Sequence, residues 1–212
     1  MKIIIFFSII LLTCVCFSQG DEKYKLEKDF FLLGTLSDYE GRFKDPLTQD
    51  VVDYYNGIEK PIMSFNYNLF KNTYEDLSVF EDILKSQKLT AKINSYFNWK
   101  YDENFTNANR DSLYNGHINI KKIKNVSQKV SFILGVYTRF GAKNDTTFCI
   151  RMANCYDKFE TCKIVLKDLN CKNITTEIYE AIPFTYTIYF QPSDRLRKYL
   201  THYYFIREKV WK

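Results

Sequence analysis

Only seven glycines, four prolines and two histidines occur in this 212-residue chain. So little Gly and Pro leaves no linker-like stretch and excludes low-complexity or collagen-like architecture. No G-x-S-x-G elbow, S-x-x-K, phosphate-binding glycine loop or G-x-G-x-x-G is present. His117 and His202 are far apart in sequence and neither belongs to a two-histidine helical motif, so no ready general base or metal pair is offered. No catalytic residue, cofactor or metal site is therefore assigned. Beyond Phe17 no apolar run approaches the roughly 20 residues that a membrane-spanning helix needs.

What is abundant is aromatic: 17 Tyr and 18 Phe bring the aromatic share to 17%, enough for a large core. The chain opens on Met1-Lys2, runs through apolar residues 3–12, and reaches small residues at Cys16 and Ser18. That layout reads as a signal peptide over 1–18, cleaved, followed by a single exported β-rich domain over 19–212. Lipidation of Cys14, three residues after Leu11, is the alternative for this end.

Export sets the redox expectation. Cys149, Cys155, Cys162 and Cys171 are an even set clustered in one stretch, which predicts two disulfides. The preferred pairing is Cys149 with Cys162 and Cys155 with Cys171, and the spacings lack the close C-x2-C pairs of zinc sites. Asn104, Asn125, Asn144 and Asn173 each begin an Asn-x-Ser/Thr triplet, a glycan acceptor only in a eukaryotic secretory pathway. The formal charge is +5, with 30 basic and 25 acidic residues interspersed along the chain. Without a basic stripe, the expected partner is a protein or small ligand and not nucleic acid.

Periodicity points to strands. Ala91 to Tyr101, Val130 to Phe140 and Ile182 to Phe190 alternate apolar and polar residues, and shorter runs at 118–123, 147–152 and 162–169 resemble them. Asn56-Gly57 and Asn115-Gly116 supply turns, the first between strands at 51–55 and 62–67. Helical spacing predicts a helix over 73–88 and another after Ser193 that stops near Thr201. No internal repeat stands out. The expected fold is mainly β (α+β): a twisted antiparallel sheet curled into a barrel or sandwich, with one or two helices packed on it.

Two functional readings follow. The first is an exported, non-catalytic domain that binds a partner or ligand, with Tyr96, Tyr101, Tyr114, Tyr137 and Tyr189 available for stacking if not absorbed by the core. The alternative is a small exported hydrolase pairing a histidine with a carboxylate drawn from Asp38, Glu40, Asp102, Glu103, Asp111, Asp157 or Glu160. A deep cleft joining a histidine to an acid would favour the second.

Overall fold

Phe30 through Thr35 are all buried, a pattern that a half-exposed strand cannot give and that a helix enclosed on every side requires. The computed structural model, which describes residues 24–144 and 147–210, places them in helix α1 (Lys28–Thr35). Its partner α4 (Val126–Phe140) is buried without a break from Val130 to Arg139. Asn125 and Gln128 start α4 as a reciprocal cap: Gln128 N–H donates to Asn125 Oδ1 at 2.9 Å, and Asn125 N–H to Gln128 Oε1 at 3.3 Å.

The two helices cross at two glycines. A Cβ on Gly34 would lie 2.2 Å from the Phe132 carbonyl oxygen, and one on Gly135 would lie 2.1 Å from that of Phe31. The contact is reciprocal, because Phe31-Leu32-Leu33-Gly34 and Phe132-Ile133-Leu134-Gly135 occupy equivalent places in it. It resembles the self-complementary interface of a homodimer, formed inside one chain.

The equivalence extends to the whole chain. After α1 come β1 (Arg42–Lys44), β2 (Val51–Tyr54), α2 (Lys60–Phe70), β3 (Ser78–Phe80), β4 (Ile83–Lys85) and α3 (Gln87–Asn94). After α4 come β7 (Gly141–Asn144), β8 (Thr147–Ala153), α5 (Tyr156–Asp168), β9 (Lys172–Tyr179), β10 (Thr185–Gln191) and α6 (Asp194–His202). Both halves run α-β-β-α-β-β-α. A hairpin of β5 (Phe97–Thr106) and β6 (Ser112–Ile118) separates them, and α7 (Tyr204–Val210) follows the second.

One strand breaks the symmetry. The second half forms a four-stranded antiparallel sheet in the order β7-β8-β10-β9, but the first half forms only β2-β4-β3. Strand β1, the counterpart of β7, leaves β2 and pairs with the inserted hairpin, giving the sheet β1-β6-β5. Space opens where β1 has moved away from β2.

The architecture is therefore α+β with three separate antiparallel sheets and seven α-helices among the described residues, and no sheet closes into a barrel. The expected single curled sheet with one or two helices is corrected, as is the reading that no repeat exists. Alternation misled at 130–140 because the intervening Ser131, Ile133, Gly135 and Tyr137 are buried too, so the segment satisfies both periods. Residues 162–169 lie mostly in α5, and 62–67 lie in α2, which Pro61 opens. Conversely, 73–88 contains the β3–β4 hairpin in place of a helix, and 91–101 is divided between α3 and β5. Strands at 51–54, 147–153 and 185–191 and the helix after Ser193, which ends at His202, agree with expectation. Residues 1–18 lie outside the described residues. Among those described, no helix is long and apolar enough to cross a membrane.

Candidate functional site

The C-terminal ends of α1 and α4 lead into a buried polar centre. Arg139, in the last turn of α4, has an acceptor for each of its five N–H groups. Nε and Nη2 grip Glu59 at 2.8 and 2.7 Å, Nη1 reaches Asp53 Oδ2 at 2.6 Å and the Thr35 carbonyl at 2.7 Å, and Nη2 reaches the Tyr54 carbonyl at 2.7 Å. One side chain thus joins α4, α1 and β2. Burial alone would lower the Arg139 pKa, but Asp53 and Glu59 outweigh it and hold the guanidinium charged. Lys158 of α5, also buried, pairs with Asp38 at 3.1 Å and donates to the Leu36 carbonyl.

Next to this centre lies the space vacated by β1, a cavity of about 1180 Å³. Its one wall is a face of the β1-β6-β5 sheet. Register places Arg42 opposite Gly116 and Gly116 opposite Trp99, and likewise Lys44, Tyr114 and Tyr101 in the next row, so these side chains share a face. Gly116 is small because the Trp99 ring occupies the place of a Cβ, within 2.8 Å. The Trp99 indole N–H donates to the Asn94 carbonyl at 3.1 Å, and the Lys44 ammonium sits 4.5 Å from its ring. The opposite wall is β2 with one face of α3, whose Gln87, Thr90 and Asn94 recur at helical spacing. Arg42, Lys44, Lys122, Phe97, Trp99 and Tyr114 line the space together.

The residues singled out from sequence are mostly elsewhere. His117 Nδ1 does approach Asp157 Oδ1 at 3.4 Å, but the histidine is half exposed and neither residue lines the cavity. Asp157 is also engaged in fastening β6 to α5, accepting from Ile118 N–H at 2.7 Å. His202 stacks on Tyr24 at 4.6 Å, and Asp102 and Asp111 accept from Asn104 and Asn107 in the exposed hairpin. Glu160 pairs with Lys163, and Glu40 and Glu103 are exposed. Tyr137 is buried, with its hydroxyl pushed up to about 12 by desolvation, while Tyr96 bonds Asp29 and Tyr189 bonds Glu177. Only Tyr101 and Tyr114 of that set belong to the cavity sheet. Arg42, Lys44, Asp53, Arg139 and Lys158 had no motif to mark them.

The four cysteines are free, and the disulfide framework is corrected. Cys149 is on β8, Cys155 and Cys162 are at the start and middle of α5, and Cys171 precedes β9, so Cys149 and Cys162 are not on neighbouring strands. Burial pushes the Cys155 thiol up to about 11 and that of Cys162 up to about 12. Alkylation of the folded protein at pH 8 should therefore spare both, by more than about 100-fold relative to half-exposed Cys149. Peptide mapping after brief iodoacetamide treatment checks this, and a linked Cys149 peptide in the unreduced protein would restore the disulfide reading.

No protein-family model matches the chain, and no curated protein matches it. Among solved structures it is similar to the homing endonuclease I-DmoI in complex with DNA and calcium, at 15% identity and a TM-score of 0.46 over 82% of this chain and 87% of that one. Mesophilic variants of I-DmoI give 15% and 0.46 over 82% and 93%, and its complex with DNA and manganese gives 16% and 0.45 over 82% and 94%. Likeness at this level concerns the α+β fold. Two of these neighbours are in complex with DNA, which runs against the expectation of an exported, non-catalytic domain without a nucleic-acid partner, but likeness this distant carries no conclusion about what this chain binds or does. The secreted or envelope location, with the Cys14 anchor, was read from residues 1–18, which lie outside those described, and is not carried further.

Asp53 and Glu59 are both held by Arg139 and Asp38 is held by Lys158, and among the described residues no three of His, Cys, Asp and Glu converge.

Proposed function

We propose that this chain binds nucleic acid along the cavity between the β1-β6-β5 sheet and β2, the two repeats and the inserted hairpin acting as one domain. The observation that carries the reading is the lining itself: Arg42, Lys44 and Lys122 beside Trp99 and Tyr114, with the lining acids Asp38 and Asp53 already paired to Lys158 and Arg139 and Asp45 accepting from Asn107. Cations that meet phosphates and rings that meet bases are the two components of a nucleic-acid groove. The homing endonucleases similar in fold are crystallised with DNA, but the reading stands on the lining.

Anisotropy of a labelled oligonucleotide, titrated at low and moderate salt, tests it. Binding with a Kd of about 1–100 µM that weakens as salt rises is expected, as phosphate contacts release counterions. Lys44→Ala and Lys122→Ala should each weaken every sequence alike and reduce the salt slope by about one. No binding at low salt to any single or double strand would sink the proposal.

A further inference from the structure

Two arginines lie inside this fold, and their hydrogen-bonding needs are met to different degrees. Arg139 uses all five N–H groups, whereas Arg42, its side chain 11% exposed, has acceptors for only two among the described residues. Its Nε donates to Asn94 Oδ1 at 2.7 Å and its Nη1 to the Val52 carbonyl at 3.2 Å. The nearest carboxylate oxygen, on Asp38, is 3.9 Å away, beyond hydrogen-bond reach. Burial lowers the Arg42 pKa and Asp38 and Asp53 offset it only in part, so the charge is incompletely matched within the protein.

Arg42 lines the cavity, so an anion entering there would meet a guanidinium with donors to spare. Phosphate suits it, because a planar fork engages two oxygens at once. On the same sheet face Tyr114 and Tyr101 are 47% and 55% exposed and meet edge to face at 5.6 Å, which leaves a ring face for stacking. A paired base in a duplex has both faces covered and its edge engaged. An unpaired one has neither, and a cavity of about 1180 Å³ has room for a nucleotide.

We infer that the cavity takes a nucleotide with an unpaired base, its phosphate on Arg42 and its base stacked on Tyr114. The inference rests on the nucleic-acid reading above and narrows it to single-stranded segments or free nucleotides. The half assigned to the ligand is the one in which β1 pairs with the inserted hairpin, whereas its counterpart β7 stays paired to β8.

The experiment compares a labelled single strand with its duplex, using a nucleoside monophosphate as competitor, on the full chain and on Arg42→Lys and Tyr114→Ala. Arg42→Lys keeps the charge and loses the fork, while Tyr114 lies outside the core, so at least one variant should fold as wild type by circular dichroism. Tighter binding of the single strand, competition by the monophosphate and a tenfold or greater loss in either folded variant support the inference. Binding of the monophosphate without the oligonucleotide supports the pocket and assigns it to free nucleotides. Equal or tighter binding of the duplex, with single-strand affinity unchanged in Tyr114→Ala, overturns the inference and leaves the broader reading intact. No binding of any nucleic acid or nucleotide overturns both.

Discussion

Gly135→Ala and Gly34→Ala should each cost at least about 3 kcal/mol of folding stability, the upper part of the range for overpacking a tight core. The reason is that the obstruction is backbone. A new Cβ at residue 135 would lie 2.1 Å from the Phe31 carbonyl oxygen, and one at 34 would lie 2.2 Å from the Phe132 oxygen and 2.8 Å from the Val136 nitrogen. No rotamer change relieves such an overlap, so α1 and α4 must separate along a contact on which both halves pack. Alanine's better helix propensity recovers only about 1 kcal/mol. Because both glycines touch the same crossing, separating the helices for one makes room for the other, and the double variant should cost less than the sum. Gly57→Ala is the control: nothing lies within 4 Å of its added Cβ, and a change under about 0.5 kcal/mol is expected. Urea denaturation of the wild type and the four variants decides the matter. A cost under about 0.5 kcal/mol at either crossing glycine would mean that the helices are not in backbone contact.

Those glycines also show where reading the sequence succeeded and where it failed. A strand with one wet face, such as 147–153, was legible because Arg151 faces away from the core while Phe148, Ile150 and Met152 are buried. The central helices were not, since a helix buried on every side loses the 3.6-residue signature that amphipathic helices carry. Two local signals could have found them. Asn125-x-x-Gln128 is a capping box, and Phe-Leu-Leu-Gly recurs as Phe-Ile-Leu-Gly at the two crossing points.

The site was less legible still. Lys44, Trp99 and Tyr114 are brought together by β1 pairing across the chain to β6, a long-range choice that no local pattern encodes. Export set the reading of the cysteines, and a compartment argument cannot see that Cys155 and Cys162 share one helix start and its interior. Net charge is silent in a similar way: a mild, interspersed excess says nothing of which few cations converge on one cavity.

Arg139→Met should cost about 3–5 kcal/mol at pH 7, the range for breaking a buried ion pair from one side. Methionine matches much of the aliphatic stem and removes every donor, so Asp53, Glu59 and the Thr35 and Tyr54 carbonyls lose their partner together. The variant's stability should then depend on pH in a direction set by Asp53. Burial already raises its folded-state pKa against the pull of Arg139 and of Ser37 N–H, and without the arginine it rises further. A carboxyl whose folded pKa lies above its unfolded value of about 3.9 destabilises the fold where it must ionise, and this penalty fades as pH falls through the folded value. The gap between wild type and Arg139→Met should accordingly be largest at pH 7 and smaller at pH 5. Adding Asp53→Asn to the variant should recover part of the loss at pH 7 and flatten the dependence, because the orphaned charge is gone. Urea titrations at the two pH values measure both effects. A gap that stays constant with pH, or a double variant no better than the single one, would show that the cost is lost packing between α4 and β2 and not an unpaired carboxylate.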